Sequence, residues 1–260
     1  MLRKLSFAFL LFVLVLFPYG PLFPWSPIHP GYESIHLQRA DVIYPAGWRL
    51  PEPYYKIDSL IAEAEQFHRL AMPHRLTVIA SRSWEDFHRF VPHLRGHGVA
   101  AVTLLPGRVI YVTPRIGEKG LNITEFLRHE LSHAALNQNQ SIWNGYKMTQ
   151  QGWISEGLAV SFGQQTAYLS RSEFLSRARV EDLGGVIGHK GAGDIRFAYV
   201  LWRYFLEDLV KTHGRDEFQR FLTAYINDPD HFREIFHREY GMEVSTAAAE
   251  FQARVRRMPD

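Results

Sequence analysis

The chain predicts an α+β fold, with a small N-terminal sheet followed by a helical half, and three observations carry that prediction. Short runs rich in Val, Ile, Thr and Tyr cluster before residue 114. Helical spacing of apolar residues takes over from residue 122 and persists to the C-terminus. There is no internal repeat, and once the first 50 or so residues are set aside about 200 remain, enough for one buried core. Strands followed by helices, without regular alternation, imply α+β.

The elements follow in order. Arg3 and Lys4 precede an apolar run from Leu5 to Phe17, softened only by Ser6. A basic start before such a run reads as an export signal. No small-residue cleavage site follows, and apolar character continues through Leu22, Phe23 and Trp25. Residues 1–17 are therefore read as an uncleaved anchor, in preference to a cleaved signal. This places the body of the chain at the cell membrane, on the exported side. Eight of the 14 prolines lie between Pro18 and Pro53. That density blocks helices and predicts a linker over 18–53, a stalk apart from a short strand at Asp41–Tyr44.

The domain is expected over residues 54–260. Leu60, Ile61, Ala64, Phe67 and Ala71 recur at helical spacing from Tyr54 to Ala71, ahead of Pro73. A strand at Arg75–Ala80 and a helix at Trp84–Phe90 come next. Two further strands, Val99–Leu105 and Arg108–Thr113, flank Pro106-Gly107, a turn dipeptide, and predict a hairpin. Asn122 caps a helix running to about Asn137, with Glu125 placed to close a capping box. After a polar loop, a second helix is expected from Trp153 to Gln165. A Gly-rich connector, Gly184–Gly193, precedes helices that form a C-terminal bundle, with Phe197, Trp202, Phe205, Phe218 and Phe221 as core.

Composition excludes several classes of function. With no cysteine there is no disulfide framework, thiolate site or Cys nucleophile. Net charge is only +2, and Lys and Arg are dispersed, so no nucleic-acid partner is expected. The Gly-rich connector lacks G-K-[ST] and follows no strand, which argues against a phosphate cradle.

Chemistry concentrates in the first of the two central helices, at His129-Glu130-Leu131-Ser132-His133. Positions i and i+4 share a helical face, so both imidazoles can converge on one zinc ion. Glu130, turned about 100° from His129, is placed to take a proton from an attacking water. The five-residue pattern alone is weak. Its place inside a capped helix, with Leu127, Leu131 and Ala134 as a separate core face, strengthens it. Two histidines do not hold zinc, and Trp153-Ile154-Ser155-Glu156-Gly157-Leu158-Ala159 offers a third ligand, Glu156. Read alone, Glu156 is an ordinary first-turn glutamate favoured by the helix dipole, and it is the upstream motif that makes it a ligand candidate. Gly157, costly in a helix, suggests close approach of the two helices there. The remaining histidines, His36, His68, His88 and His97 among them, show no ligand spacing and read as surface or half-buried.

HELSH followed by WISEGLA resembles the gluzincin zinc metallopeptidases, in particular the compact bacterial peptidase-MA-like domains. The resemblance covers roughly residues 55–255 and is strong only at these two motifs. Gly152 stands where many members carry proline. Val109–Pro114 is similar to the strand bordering the substrate cleft. Tyr199, with Leu209 and His213-Gly214 behind it, is similar to the tyrosine-bearing helix. The resemblance implies a zincin-like fold and a peptide or protein substrate, with Zn2+ on His129, His133 and Glu156 and with Glu130 as general base. It also implies an oxyanion donor at Tyr199; His189, in the Gly-rich connector, is the alternative that the sequence itself offers. Peptides are expected to add as a strand to the Arg108–Thr113 edge. Two other functions share these residues: a non-catalytic binding module keeping the fold, and a zinc hydrolase of non-peptide amides.

Overall fold

The computed structural model describes residues 17–95, 99–117, 121–148, 151–165, 168–188 and 194–258. Its five strands are β1 (Tyr32–His36), β2 (Ala40–Pro45), β3 (Leu76–Ala80), β4 (Ala101–Leu104) and β5 (Val109–Val112). The first helices are α1 (Glu52–Tyr55), α2 (Ile57–His68), α3 (Trp84–Phe90), α4 (Ile123–Gln138), α5 (Ile142–Met148) and α6 (Gly152–Gly163). They are followed by α7 (Arg171–Ala178), α8 (Leu183–Gly188), α9 (Ile195–His213), α10 (Arg215–Asn227), α11 (Phe232–Tyr240) and α12 (Val244–Val255). The order is α+β as expected, a small sheet ahead of a helical half.

The sheet runs β1-β2-β3-β5-β4. The three inner strands are parallel, and each outer strand pairs antiparallel with its neighbour. Both faces are covered, so the inner strands are apolar at consecutive positions. Val42, Val78, Ile110 and Val112 face one way, onto α2 and α4. Ile43, Ile79, Val109 and Tyr111 face the other, onto Phe87 and Phe90 of α3 and onto Phe23.

The linker expected over 18–53 is corrected by this arrangement. Its residues supply two of the five strands, Phe23 is buried against Phe90 with ring centroids 4.3 Å apart, and the Tyr32 hydroxyl donates to buried Asp86 at 3.0 Å. The prolines sit at element ends (Pro30 before β1, Pro45 closing β2, Pro51 and Pro53 at the start of α1), where a fixed φ and a missing N–H cost little. The helix expected over 54–71 is two helices that meet at Lys56. The polar loop after α4 contains α5, and the start of the Gly-rich connector is α8. Residues 1–16, which carry the anchor reading, and His189 lie outside the described residues. Among the described residues no helix is long and apolar enough to cross a membrane.

In the helical half, α9 is the central rod. It packs along α6, and α6 packs in turn on α4. Phe197, Leu201, Phe205 and Leu209 on α9 meet Phe218, Phe221, Phe236 and Phe251 from the last three helices in one continuous core.

Candidate metal centre

α4 is built to carry polar groups on a helix that is otherwise core. Asn122 Oδ1 accepts from the Thr124 N–H at 3.0 Å and caps the first turn. The expected capping box does not form: Asn122 accepts from the Thr124 N–H and not from that of Glu125, and Glu125 accepts from the Asn122 side-chain amide at 3.2 Å and not from its backbone. Leu127, Leu131, Ala134 and Ala135 pack against the sheet. That packing turns His129 and His133 towards α6 and Glu130 towards β4, and His129 and Glu130 are 7% and 4% exposed. Burying ionisable groups is costly unless partners repay it.

The partners are present. Among the described residues, His129, His133 and Glu156 form a trio whose ligand atoms all lie within 4.8 Å of one another. The two Nε2 atoms are 3.1 Å apart, and Glu156 carboxylate oxygens lie 3.4 Å from His129 Nε2 and 3.6 Å from His133 Nε2. Ligand atoms each about 2.0–2.1 Å from a tetrahedral zinc stand about 3.3–3.4 Å apart, so the spacing fits that ion. Glu156 Oε2 is buried and has no hydrogen-bond donor, as an oxygen reserved for a cation would be. Burial opposes charge on His133, yet the Glu156 carboxylate, with Glu130 behind it, lifts its pKa up to about 9. Burial likewise works against ionised Glu156, but the two imidazoles hold its carboxyl well below the usual range.

Residues around the trio fix its geometry. His129 Nδ1 donates to Gln165 Oε1 at 2.9 Å, which leaves the Nε2 lone pair facing Glu156 and His133. Gln165 is buried just beyond α6, where Gln164 ends the helix in the left-handed conformation. The Thr103 hydroxyl on β4 lies 2.7 Å from Glu130 Oε2 and 2.9 Å from the Glu130 carbonyl oxygen, both acceptors of its one proton. Tyr199, on the second turn of α9, lines the cleft beside Glu156; burial first, then the Glu156 charge, pushes its phenol far up and keeps it a donor. Tyr168 packs edge-on to Tyr199 at 5.5 Å, its phenol likewise pushed up mainly by burial.

Two glycines set the helix spacing. A Cβ on Gly163 would meet the Glu125 carbonyl oxygen at 3.0 Å and His129 Cβ at 3.5 Å, so this is where α6 closes on α4. Gly157 closes instead on α9, with Trp202 and Leu206, so the close approach expected there is real but to a different helix. Thr103, Gln165, Tyr168 and Gly163 escape sequence reasoning, since single residues of these types carry no spacing signal.

Two expectations are corrected. The Arg108–Thr113 strand has no free edge, because β5 lies between β3 and β4, and the cleft is bordered by β4, which ends the sheet. The cause is non-local: β5 pairs in parallel with β3 and so forces the other hairpin strand outward. His68 is not at the surface but 1% exposed among Phe67 and Phe162, its pKa pushed down to about 3 chiefly by burial.

No family model and no curated protein matches the chain. Among solved structures, the chain is similar to an M1 zinc metallopeptidase from Deinococcus radiodurans, at 14% identity and a TM-score of 0.45. A point mutant of that enzyme gives 13% and 0.44. The similarity covers 88% of this chain and 52% of each of those, so the chain spans about half their length. The likeness is too distant to assign a role to any residue, and the reading of the site rests on this chain's own geometry.

Proposed function

We propose that the chain is a zinc-dependent peptidase, and one observation carries the reading. Two imidazole nitrogens and one undonated carboxylate oxygen converge at zinc-ligand spacing, with a fourth ionisable group, Glu130, beside them in the same cleft. Zinc held by His129, His133 and Glu156 would act as a Lewis acid on the scissile carbonyl and lower the pKa of the attacking water. Glu130 takes the proton of that water and hands it to the departing amine, while Thr103 holds its carboxylate in place. Gln165 keeps His129 in the required tautomer. Tyr199, a permanent donor at the cleft wall, steadies the developing oxyanion.

The open side of β4 borders the cleft of about 320 Å³ along Ala101–Thr103, and an extended peptide adds there as a further strand. The apolar run behind Arg3-Lys4 supports an exported enzyme tethered at the membrane by its N-terminal segment. The deciding experiment is cleavage of a mixed peptide library by the zinc-loaded full chain and by Glu130→Gln. The proposal requires turnover by the first and a loss of several orders of magnitude in the second; equal turnover by both would contradict it.

A further inference from the structure

A second cavity, of about 470 Å³, shares no lining residue with the metal cleft. It lies beyond the carboxyl ends of the three parallel strands: Pro45 ends β2, Ser81 and Arg82 follow β3, and Val112 ends β5. The helix after β2, α2, covers one face of the sheet, and the helix after β3, α3, covers the other. The two connections therefore part at neighbouring strands, and the crevice left between them is where open sheets of this kind bind small molecules. Its size falls within the range of about 300–1,000 Å³ usual for such pockets.

Two lining side chains carry buried hydroxyls that make no hydrogen bond. Tyr54, on α1, is 0% exposed and Ser81 is 8% exposed, and neither hydroxyl oxygen has a partner in the protein. Buried polar groups are nearly always paired, so two orphans on one cavity wall point to a ligand that pairs them. The Thr113 hydroxyl on the same wall is already used, on the Val99 and Ala100 carbonyls at 3.0 and 2.9 Å. Trp48 stands at the mouth, exposed, its ring edge-on to Tyr54 with centroids 6.3 Å apart. It is held there by a turn in which its N–H donates to the Pro45 carbonyl at 3.0 Å and Gly47 takes φ +75°. Among the described residues lining the cavity there is no carboxylate, and the one charged side chain, Arg82, is engaged by buried Asp86 at 3.0 Å. A charged ligand seated here would lose its water and find no counter-charge that is not already spent.

We infer that this crevice binds an uncharged sugar ring, with Trp48 as its stacking platform and the Tyr54 and Ser81 hydroxyls as its polar partners. The match is one of chemistry. A pyranose offers a flat face of C–H groups to an indole and a rim of hydroxyls that both donate and accept, as the two orphans do. Pro45, Val112 and Ile116 supply the apolar remainder of the wall. Burial pushes the Tyr54 phenol up, so it stays a neutral donor and acceptor at any working pH. The site stands apart from the metal centre and does not depend on the peptidase reading.

The test titrates the full chain with glucose, N-acetylglucosamine and, as the charged counterpart, glucuronate, followed by saturation-transfer NMR and tryptophan fluorescence. At least one of the two neutral sugars should bind with a millimolar Kd, and glucuronate about tenfold more weakly or not at all. Tyr54→Phe and Ser81→Ala should each weaken the neutral sugar about 2–10-fold, the worth of one hydrogen bond. Trp48→Ala should weaken it about tenfold, while Trp143→Ala, an exposed tryptophan outside the cavity, should leave it unchanged. Since neither hydroxyl has a partner to lose, Tm of the sugar-free protein should not fall in Tyr54→Phe or Ser81→Ala. No binding of either neutral sugar at tens of millimolar overturns the inference, as does glucuronate bound equally well. So does sugar binding that survives Trp48→Ala intact. A Tm that falls in the hydroxyl variants while sugar affinity stays the same would show that the hydroxyls hold the fold and no ligand, and overturns it too.

Discussion

Gly157→Ala tests whether the missing side chain next to Glu156 is a packing requirement. The added Cβ would lie 2.6 Å from Leu206 Cδ1, 2.8 Å from the Trp202 carbonyl oxygen and 2.9 Å from its carbon. Ordinary contact between carbon atoms is about 3.5–4.0 Å, so the overlap is roughly 0.5–1 Å. The leucine methyl can rotate away, but the Trp202 backbone belongs to the helix around which the helical half packs, and must move with it. Overpacking of this kind costs about 1–3 kcal/mol, and the backbone clash puts this site at the upper end. Alanine recovers about 1 kcal/mol of helix propensity. The net loss is therefore about 1–2 kcal/mol, which for a chain this long lowers Tm by about 2–8 °C. The control is Gly152→Ala, on the same helix, where an added Cβ has no atom within 4 Å. Calorimetric melting of wild type and both variants decides the matter. A Gly157→Ala melt at or above wild type would refute the reasoning, and a drop in Gly152→Ala matching that in Gly157→Ala would show the effect to be unspecific.

Three further outcomes follow from the structure. Thr103→Val removes the hydroxyl that holds Glu130, so kcat should fall about 10–100-fold with zinc content unchanged and Thr103→Ser restoring most of it; an unchanged kcat would free Glu130 from this contact. Gln165→Leu removes the acceptor for His129 Nδ1 and should weaken zinc affinity about 10–100-fold by chelator competition, whereas wild-type affinity would show that His129 orients itself. Asp41, on β2, is held down to about 2 mainly by Arg75, just before β3, with His36 adding. A depressed carboxylate stabilises above its unfolded pKa of about 3.9 and stops doing so as pH falls through its folded value. In chelator-treated protein, urea unfolding should show Asp41→Asn about 1–2 kcal/mol less stable at pH 7, with the gap closing towards pH 2. A gap independent of pH would mean that the pair contributes through packing alone.

Sequence reasoning reached furthest where the signals were local. Asn122 caps α4 and Pro106-Gly107 turns the β4–β5 hairpin, each read within a window of a few residues. His129, Glu130 and His133 were legible for the same reason, since a four-residue spacing on one helix is a local fact. Glu156 needed the second motif, because only packing of α6 on α4 brings it to the histidines. Pairings distant in sequence left no trace. β1, with Glu33, Ser34 and His36 half-buried or exposed, does not read as a core strand, and proline density pointed to a stalk. Nothing in the hairpin says which of its strands pairs with β3, although that choice alone decides which edge borders the cleft. Thr103 and Gln165 reach Glu130 and His129 across 27 and 36 positions, too far for any pattern to show.

The central claim is that His129, His133 and Glu156 hold one zinc ion while Glu130 does not, and metal analysis of the purified full chain tests it most directly. After saturation with zinc and exhaustive dialysis, wild type and Glu130→Gln should each retain one zinc per chain and His133→Ala none. Full occupancy in His133→Ala, or loss of the metal in Glu130→Gln, would contradict the assignment.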